Sequence, residues 1–563
     1  MEGMGGSSPD DRITRMSHRW GTRDFVVALA LFAATAGTVL WQNAHVTVLW
    51  DLSYVLDSSY RITLGQLPYR DYPFAHAPLT FLVQAAIIKL TGRVFWHHIV
   101  YCAVIGGMGS VIAWRIALRI LGEKAWGSSV LLALPLAFLG VYGIFPHPNY
   151  DCDSVFAVLV AIWLLQRAHR GGFWSFAAGI AIVLPLFFKQ NIGLPFLLIT
   201  LCGIVGVVLF RRERCLIPAI GGAALAMVVA ALLLHLTVGI DNYIQWTIRF
   251  PAQRRIPSLG AMIDIYRDPS LLWMLTSVTV GFVLLRFTSV RARSVGLCLL
   301  VAPFCWPVAM LFRTNDADDR ASALLALWPL VLVISAVVAV YQLRRGLELQ
   351  RLIPLFLLAA IHGAFLSQQL WGSTYAVWPL LILLIAGVIA AGRFEGKWMA
   401  PALGAIIGGA LLVAGGFYVT SEDRLSYASV DDGSVLHSKL RELAGMSVQG
   451  KYLPNFEELL QFAAENIPQN EGLILVNGED PFYYATGRTP QFPILLFDPT
   501  TQPYSPEQLR DLALKRNIRW LVVKRELQIK EDPTPDRAGT LSALMQVFSA
   551  YKQIAGYDIY RRR

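Results

Sequence analysis

The sequence predicts an α-helical polytopic membrane protein of about thirteen transmembrane helices, followed by a small C-terminal α/β domain. The first observation is the composition: 55% of the 563 residues are hydrophobic, 15% are charged, and the mean hydropathy is +0.51. Soluble globular domains are about one quarter charged, so this balance indicates a membrane protein. The second observation is a change after residue 420, where apolar runs of spanning length end.

The individual spans follow from the lengths of the apolar runs. A hydrocarbon core about 30 Å thick requires roughly 20 apolar residues per helix, and fewer where flanking residues reach the interface. We interpret the first run as a retained anchor rather than a signal peptide, because it is longer than a typical signal core. The predicted spans lie near residues 24–41, 96–118, 127–145, 154–166, 173–188, 192–210, 216–238, 271–286, 295–312, 321–341, 352–370, 375–391 and 399–418.

The basic residues predict the orientation of these spans. Every second connection is rich in Arg or Lys, beginning with the N-terminal tail 1–23, and short cytoplasmic loops carry such an excess. We therefore expect a cytoplasmic N-terminus, a transmembrane domain over 24–420 and an extracytoplasmic domain over 421–563. These loops account for the net charge of +10, so nucleic acid is not an expected partner. Six cysteines without CxxC spacing indicate neither a disulfide framework nor a cysteine metal site.

The predicted C-terminal domain combines strands and helices. "GLILVNG" and "RWLVVKRE" have the apolar character of buried strands. "SPEQLRDLALKRN" predicts a helix that begins after Ser505, and "GTLSALMQVFSAY" predicts a second helix. This alternation is typical of a small α/β layer domain.

The first outer loop, residues 42–95, carries an unusual density of charge directly after a span, in "LWDLSYVLDSSYRITLGQLPYRDYPFAHAPLTF". Asp51 precedes a segment that can be helical up to Gly65, so it could act as a helix N-cap. Asp57 and Arg61 have the spacing of a surface ion pair on that helix. "HAPLTFLVQAAIIKLTG" predicts a second helix in the membrane interface, with Lys89 reaching water. Two interfacial helices would then frame Asp51.

The motifs "WDLSY", "GQLPYRDY" and "HAPLTF" resemble the first extracytoplasmic loop of the GT-C superfamily. These are polytopic glycosyltransferases that use polyprenyl-phosphate sugars, such as the lipid A aminoarabinose transferases and the protein O-mannosyltransferases. The resemblance implies a GT-C-like fold, inversion at the anomeric carbon and a base at Asp51. Family members usually carry an Asp-Glu pair here, whereas Leu52 follows Asp51 in this chain. The substrate-loop residues implied by the motifs are Tyr54, Tyr69, Arg70, Asp71 and His76.

Such a reaction needs positive charge for the departing lipid phosphate. Lys189 in "LFFKQNIG" is the first candidate, because spans five and six turn there with hardly any loop; simple snorkelling of the ammonium is the alternative. Arg254 and Arg255 are the second candidates, since they lie on the predicted outer side, against the topological bias. Contact with anionic headgroups or with the C-terminal domain is the alternative for these two arginines.

No cofactor is required for this chemistry, but a divalent metal is conceivable. Asp151 and Asp153 in "HPNYDCDS", with His147 nearby, could supply oxygen ligands or could cap the following helix. The acidic segment "RTNDADDR" raises the same question. Late in the chain, Tyr375 in "STYAVWPLL" resembles a Tyr and Pro pattern of these enzymes.

The sequence thus predicts a glycosyltransferase of the inner membrane that takes a sugar from a polyprenyl-phosphate donor to a lipid, glycan or protein acceptor. The alternative is a multi-span transporter or lipid flippase, whose ionisable residues would tend to lie near the midplane of the spans. A third class, a non-catalytic assembly partner, would not need Asp51 and Lys189 together.

Overall fold

A computed structural model describes residues 20–254, 259–366, 370–392, 399–498, 501–528 and 536–563. Helices make up most of the chain up to residue 426, and all the described strands follow that point. The helices of this first part are α1 (Thr22–Asn43), α2 (Leu49–Thr63), α3 (Leu79–Thr91), α4 (Phe95–Leu121), α5 (Trp126–Ala133), α6 (Leu136–Leu139), α7 (Tyr150–Leu165), α8 (Gly172–Phe188), α9 (Gln190–Arg211), α10 (Ile217–Thr237), α11 (Ile240–Ile244), α12 (Phe250–Arg254), α13 (Leu259–Asp264), α14 (Ser270–Leu284), α15 (Val290–Arg313), α16 (Ala317–Leu325), α17 (Leu327–Arg345), α18 (Leu349–Phe365), α19 (Leu370–Ala391), α20 (Met399–Thr420) and α21 (Glu422–Ser426).

Within the described residues, nine helices are long and apolar enough to cross a membrane, which supports a polytopic helical membrane protein. Four further apolar helices are shorter: Leu79–Thr91, Gly172–Phe188, Ser270–Leu284 and Leu349–Phe365. The predicted span 127–145 is wrong as a continuous helix. It is interrupted at Leu134 and Pro135, and the helical part ends at Leu139. Because this segment is broken, the count of thirteen spans stays a prediction.

Two of the transmembrane helices touch through their glycines. A methyl group added at Gly179 of α8 would meet the carbonyl oxygen of Ala219 in α10 at 2.0 Å, and one added at Gly222 of α10 would meet the carbonyl oxygen of Phe176 at 2.2 Å. Small residues permit this close backbone approach, as in other membrane helix pairs. The turns that precede α8 and α10 are therefore held at a fixed separation.

The C-terminal part contains two small sheets. Strands β1 (Val435–His437) and β2 (Ser447–Gln449) pair antiparallel. Strands β3 (Gly472–Val476), β4 (Ile518–Lys524), β5 (Phe548–Ile554) and β6 (Tyr557–Arg562) form a sheet of order β3-β4-β6-β5, in which β3 and β4 are parallel. The remaining helices are α22 (Tyr452–Asn466), α23 (Phe482–Thr486), α24 (Pro506–Lys515) and α25 (Arg537–Met545).

The predicted strands at "GLILVNG" and "RWLVVKRE" are confirmed as β3 and β4, and Ser505 caps α24 by accepting a hydrogen bond from the N–H of Gln508. The predicted second helix, residues 539–551, is wrong in its second half. Helix α25 ends at Met545, and Phe548 begins the edge strand β5, paired antiparallel with β6. The chance to bury Phe548 and to complete a sheet edge overrides the local helical pattern.

The helix that carries Asp51 lies inside the protein rather than in an exposed interface. From Leu52 to Arg61 every residue of α2 is buried by other parts of the protein, whereas the position of α2 and α3 at the membrane interface stays a prediction. One face packs with α3, α4 and the C-terminal sheet, and another packs with the aromatic residues of the first loop. The membrane helices and the C-terminal part therefore meet across α2.

Candidate active site

Asp51 lies in the first turn of α2, but it is not the N-cap, which corrects one of the two interpretations of this residue. The N-cap position is Val48, and the free N–H groups there are satisfied by other elements. Val48 donates to Nε2 of His147 at 3.0 Å, and Leu49 donates to Oε1 of Gln528 at 2.5 Å. Burial lowers the pKa of His147 to about 3, so this ring is neutral and its Nε2 can accept the bond. The turn that carries Asp51 is thus fixed without using the Asp51 carboxylate as a cap.

Asp51 is half-buried and lines a cleft of about 530 Å³ where α2 meets the ends of the membrane helices. The cleft is mostly apolar and aromatic, with charged groups at its rim. Its lining residues are Trp50, Asp51, Ile144, Phe145, Ala317, Asp318, Tyr375, Tyr418, Ser421, Asp423, Arg424 and Tyr427.

Arg424 is the cation of this cleft, and sequence reasoning missed it. Its guanidinium donates to the carbonyl oxygen of Ile144 at 2.6 Å and lies 3.9 Å from the centre of the Tyr427 ring. These contacts hold the charge beside the cleft. A signal was present in the sequence, because Arg424 follows the last predicted span on the side where positive charge is not expected.

Asp318 belongs to "RTNDADDR", which the sequence left open between a metal site and a solvated turn. In the structure Asp316 caps α16 by accepting from the N–H of Asp319 at 2.9 Å. Asp318 is exposed at the rim of the cleft. The segment therefore positions one more carboxylate near Asp51.

Tyr375 connects the Asp51 cleft to Lys189. Tyr375 lines the cleft, and its hydroxyl donates to Oδ2 of Asp151 at 2.7 Å. Asp151 in turn accepts from the Lys189 ammonium at 3.3 Å, and both side chains are about 10% exposed. The structure thus brings Asp51, Tyr375, Asp151 and Lys189 into one neighbourhood, although they come from four separate helix ends.

Lys189 lies at the turn that the sequence predicted. Helix α8 ends at Phe188 and α9 begins at Gln190, so Lys189 alone joins them. Its ammonium lies 4.2 Å from the centre of the Tyr150 ring, besides its ion pair with Asp151. An 11% exposed, paired ammonium is not the freely snorkelling lysine of the alternative interpretation.

Asp153 faces away from Asp151 and has its own partners. Its carboxylate accepts hydrogen bonds of 2.7 Å from each of Thr80, Tyr101 and Tyr142. The N-cap of α7 is Asn149, whose side chain accepts from the N–H of Asp151 at 2.8 Å, so neither aspartate is the N-cap. The possible metal at Asp151 and Asp153 stays a prediction, and the hydrogen bonds give both carboxylates another role.

Three of the predicted substrate-loop residues form an aromatic wall behind Lys189. Tyr54 stacks on Phe74 with ring centres 5.7 Å apart, and the Tyr69 hydroxyl donates to the carbonyl oxygen of His76 at 2.6 Å. His76 stacks on Tyr150 at 4.6 Å, on the ring that also contacts the Lys189 ammonium. The first loop is therefore packed against the lysine that we associate with phosphate.

Arg70 and Asp71 lie elsewhere. They form an exposed ion pair of 2.9 Å with each other, and Asp71 also accepts from the N–H of Leu67 at 2.7 Å. They line a separate cleft of about 530 Å³ together with Arg61 and Arg516. Of the other predicted phosphate ligands, Arg255 and the side chain of Arg254 lie outside the described residues.

The C-terminal domain contacts α2 through Asp57 and Arg61. The prediction that these two residues form an ion pair on the surface of the helix is therefore wrong. Asp57 is buried and accepts from the backbone N–H groups of Tyr484 at 2.7 Å and Tyr483 at 3.3 Å. Arg61 donates to the carbonyl oxygens of Phe492 at 2.9 Å and Pro493 at 3.0 Å. Burial raises the pKa of Asp57 to about 8, although these two backbone bonds oppose the shift.

A buried ion cluster extends this contact. The Lys524 ammonium lies 2.9 Å from Asp480 and 3.2 Å from Glu479, all three being nearly inaccessible to solvent. Burial lowers the pKa of Lys524, but attraction to the two carboxylates outweighs it and leaves the pKa raised. Glu479 also accepts from the N–H of Gln528 at 3.0 Å. The side-chain oxygen of Gln528 in turn accepts from the N–H of Leu49 at the start of α2. The sheet is thereby linked to the turn that holds Asp51.

Comparisons with known proteins give distant structural likenesses. The sequence matches no protein-family model and no curated protein. Among solved structures, the chain is similar to ArnT from Cupriavidus metallidurans bound to undecaprenyl phosphate, with 12% identity, a TM-score of 0.40 and coverage of 96% of this chain and 98% of that chain. The apo state of the same protein gives 12% identity, a TM-score of 0.39 and coverage of 94% and 97%. Likeness at this level is too distant to assign a fold family or a function.

Proposed function

We propose that this protein is an inverting glycosyltransferase that moves a sugar from a polyprenyl-phosphate donor to a lipid, glycan or protein acceptor. The reaction would take place at the outer face of a bacterial-type inner membrane, with the N-terminus in the cytoplasm and the C-terminal domain outside. The observation that carries the proposal is that Tyr375 lines the cleft of Asp51 and also donates a hydrogen bond to Asp151, the ion-pair partner of Lys189. The resemblance of the first loop to GT-C motifs supports the proposal, since it implies that the base is the same carboxylate.

In this proposal Asp51 is the general base. Its carboxylate takes the proton of the acceptor hydroxyl while that oxygen bonds to the anomeric carbon, and the bond from this carbon to the phosphate oxygen breaks. The electron pair of the broken bond leaves with the polyprenyl phosphate. A single displacement of this kind inverts the configuration of the sugar. The half-buried position of Asp51, in a cleft with apolar and aromatic walls, suits both a sugar and a lipid-borne donor.

Two cations would stabilise the departing phosphate. Arg424 lines the cleft, and its planar guanidinium can bind phosphate through two N–H groups. Tyr375 and Asp151 link the cleft to Lys189 through a hydrogen bond and an ion pair. Because Asp151 already pairs with the Lys189 ammonium, a bound phosphate would take the place of the Asp151 carboxylate there. The aromatic walls of the cleft would receive the sugar ring or the first isoprene unit.

The C-terminal domain would keep Asp51 oriented. Its contacts reach the first turn of α2 through Gln528 and the middle of the helix through Asp57. In this role the domain supports the site without contributing a catalytic group.

A transfer assay tests the function. Purified full-length protein in proteoliposomes is given radiolabelled polyprenyl-phosphate sugars, one at a time, with membrane extract as the source of acceptors. We expect label to move from one donor into the acceptor fraction. Without an acceptor, we expect the same donor to be hydrolysed slowly. NMR of the product should show that the anomeric configuration of the sugar is inverted. Absence of turnover with every donor, together with movement of lipid across the bilayer, would overturn the proposal in favour of a flippase.

A further inference from the structure

Three side chains with metal-binding atoms meet at the end of α8 opposite Lys189. His169 lies in a short 3₁₀ turn, Ala168–Arg170, just before α8. Glu213 and Cys215 lie at a second 3₁₀ turn, Arg214–Leu216, just before α10. The two turns come from connections that are distant in the sequence. The three residues therefore do not have the short spacing along the chain by which metal ligands are usually recognised.

The distances are close to those of a metal centre before the ion is bound. Nδ1 of His169 lies 3.2 Å from the Cys215 sulfur, and Nε2 lies 3.9 Å from Oε2 of Glu213. One ligand atom from each residue lies within 4.8 Å of the other two. Ligand atoms around a tetrahedral Zn²⁺ are about 3.3 to 3.7 Å apart, given bonds of about 2.0 to 2.3 Å. Small rotations of these side chains would bring one nitrogen, the sulfur and one oxygen to that spacing.

A second observation points to a missing partner. Oε2 of Glu213 is shielded from solvent, and within the described residues it has no hydrogen-bond partner. A carboxylate oxygen that is shielded from water and has no donor is unfavourable, and a cation beside it would stabilise it. The oxygen faces the His169 ring at 3.9 Å, which is too long for a hydrogen bond.

The framework around the three side chains is rigid. Helices α8 and α10 are in backbone contact at Gly179 and Gly222, so the two turns that precede them cannot move apart freely. A metal site needs such a framework, because its ligands must be held in a fixed geometry.

We propose that His169, Glu213 and Cys215 form a binding site for a divalent transition-metal ion, Zn²⁺ by preference. The ligand set of one imidazole, one thiolate and one carboxylate suits Zn²⁺, and a water completes the tetrahedron. The thiol and the imidazole each bind without their proton, so the thiol proton is released when the ion enters. The thiolate and carboxylate charges balance the charge of the ion. The loop charges predict that this end faces the cytoplasm, where thiols are kept reduced.

Cobalt substitution tests this proposal on the purified, tag-free full-length protein. We expect Co²⁺ to produce a thiolate-to-metal charge-transfer band in the near ultraviolet, and Zn²⁺ to abolish that band by displacement. The variant Cys215→Ser should lose the band and weaken Zn²⁺ binding by about tenfold or more, as should His169→Ala. The matched control is Cys298→Ser, which changes another exposed cysteine outside the cluster and should keep the band.

A measurement on the wild-type chain covers the case in which these variants fail to fold. Zn²⁺ should slow alkylation of Cys215, mapped by mass spectrometry, whereas Mg²⁺ at the same concentration should leave the rate unchanged. If no band forms, if the band survives Cys215→Ser, or if Zn²⁺ does not protect Cys215 selectively, the three residues form only a hydrogen-bonded contact between two turns. These outcomes are independent of the transfer assay, so failure here leaves the proposed glycosyl transfer untouched.

Discussion

Two carboxylates on the same helix have opposite environments. Asp51 in the first turn of α2 is half-buried and lines a cleft shared with Tyr375 and Arg424. Asp57, on the same helix, is 4% exposed and accepts two backbone N–H groups of the C-terminal domain. One carboxylate is accessible to a ligand, and the other attaches the helix to its support. The charged residues of the first loop therefore differ in role: Asp57 holds the helix, and Asp51 is the carboxylate to which the proposed function gives the chemistry.

The largest effect that we expect separates these two residues by activity. Asp51→Asn should lower turnover by a factor on the order of 10² to 10⁴, because the amide cannot take the acceptor proton. That loss corresponds to about 3 to 5 kcal/mol of barrier. Turnover is measured in the transfer assay, with the melting temperature as a check on folding.

Asp57→Asn is the matched control, since it makes the same chemical change elsewhere on the helix. When turnover is expressed per amount of folded protein, the Asp57→Asn variant should keep most of the wild-type value. Equal turnover of the Asp51 variant and the wild type would remove the base assignment. Equal losses in both variants would show that the helix matters only as a structural unit.

The second prediction concerns Lys189. Lys189→Ala leaves the largely buried Asp151 without its cation, and breaking such a pair costs about 3 to 5 kcal/mol. The double variant Lys189→Ala with Asp151→Asn removes that unpaired charge and should recover much of the stability. Its KM for the donor should still be raised more than its KM for the acceptor, because the phosphate has lost a cation.

The control for this experiment is Lys89→Ala, which removes an exposed lysine at the end of α3. It should change neither stability nor the donor KM. If the double variant raises both KM values equally, Lys189 has a structural role and the phosphate binds elsewhere.

Arg424 provides a third prediction, of smaller size. Arg424→Gln should raise the donor KM by about 10- to 150-fold, since a charge-assisted hydrogen bond contributes roughly 1.5 to 3 kcal/mol. The exposed Arg441, outside the cleft, supplies the control variant Arg441→Gln. An unchanged donor KM in the Arg424 variant would leave Lys189 as the sole cation proposed for the phosphate within the described residues.

A fourth prediction uses pH to examine the Asp57 side of the comparison. Burial raises the pKa of Asp57 to about 8, whereas an unfolded Asp titrates near 3.9. Between about pH 4 and pH 8 the folded state therefore holds a proton that the unfolded state has lost. Stability should fall as pH rises through this window, by at most about 1.4 kcal/mol per pH unit.

Asp57→Asn should remove this contribution and keep an oxygen for the N–H of Tyr484. The measurement is the difference between the melting temperatures of variant and wild type from pH 5 to pH 8, in which contributions common to both proteins cancel. The melting temperatures of the wild type and of the variant could instead change with pH in parallel. In that case Asp57 is already ionised at neutral pH and Arg61 is its charge partner.

The same comparison shows what the sequence could and could not predict. The lengths of the apolar runs predicted the positions of most membrane helices, and the short turn at Lys189 was predicted because few residues separate two runs. The run 127–145 led to a wrong prediction of one continuous helix. Pro135 interrupts the helix, while the run as a whole stays apolar. Single-sequence patterns are local, whereas Asp57 meets Tyr484 across 427 residues. The partners of Asp51, Asp57 and Lys189 all required the fold.

The smallest effect should come from Arg70 and Asp71, which the first-loop motifs group with Asp51 but which line a different cleft. Their ion pair is exposed to water, which screens it, so it should contribute little to stability. Asp71→Asn keeps an oxygen for the N–H of Leu67, so turnover and melting temperature should stay close to the wild type. Both are measured beside Asp51→Asn in the same preparation. A loss of turnover in Asp71→Asn as large as that in Asp51→Asn would move the acceptor-binding site to the cleft of Arg61 and Arg516, and would place the catalytic carboxylate on the other side of α2.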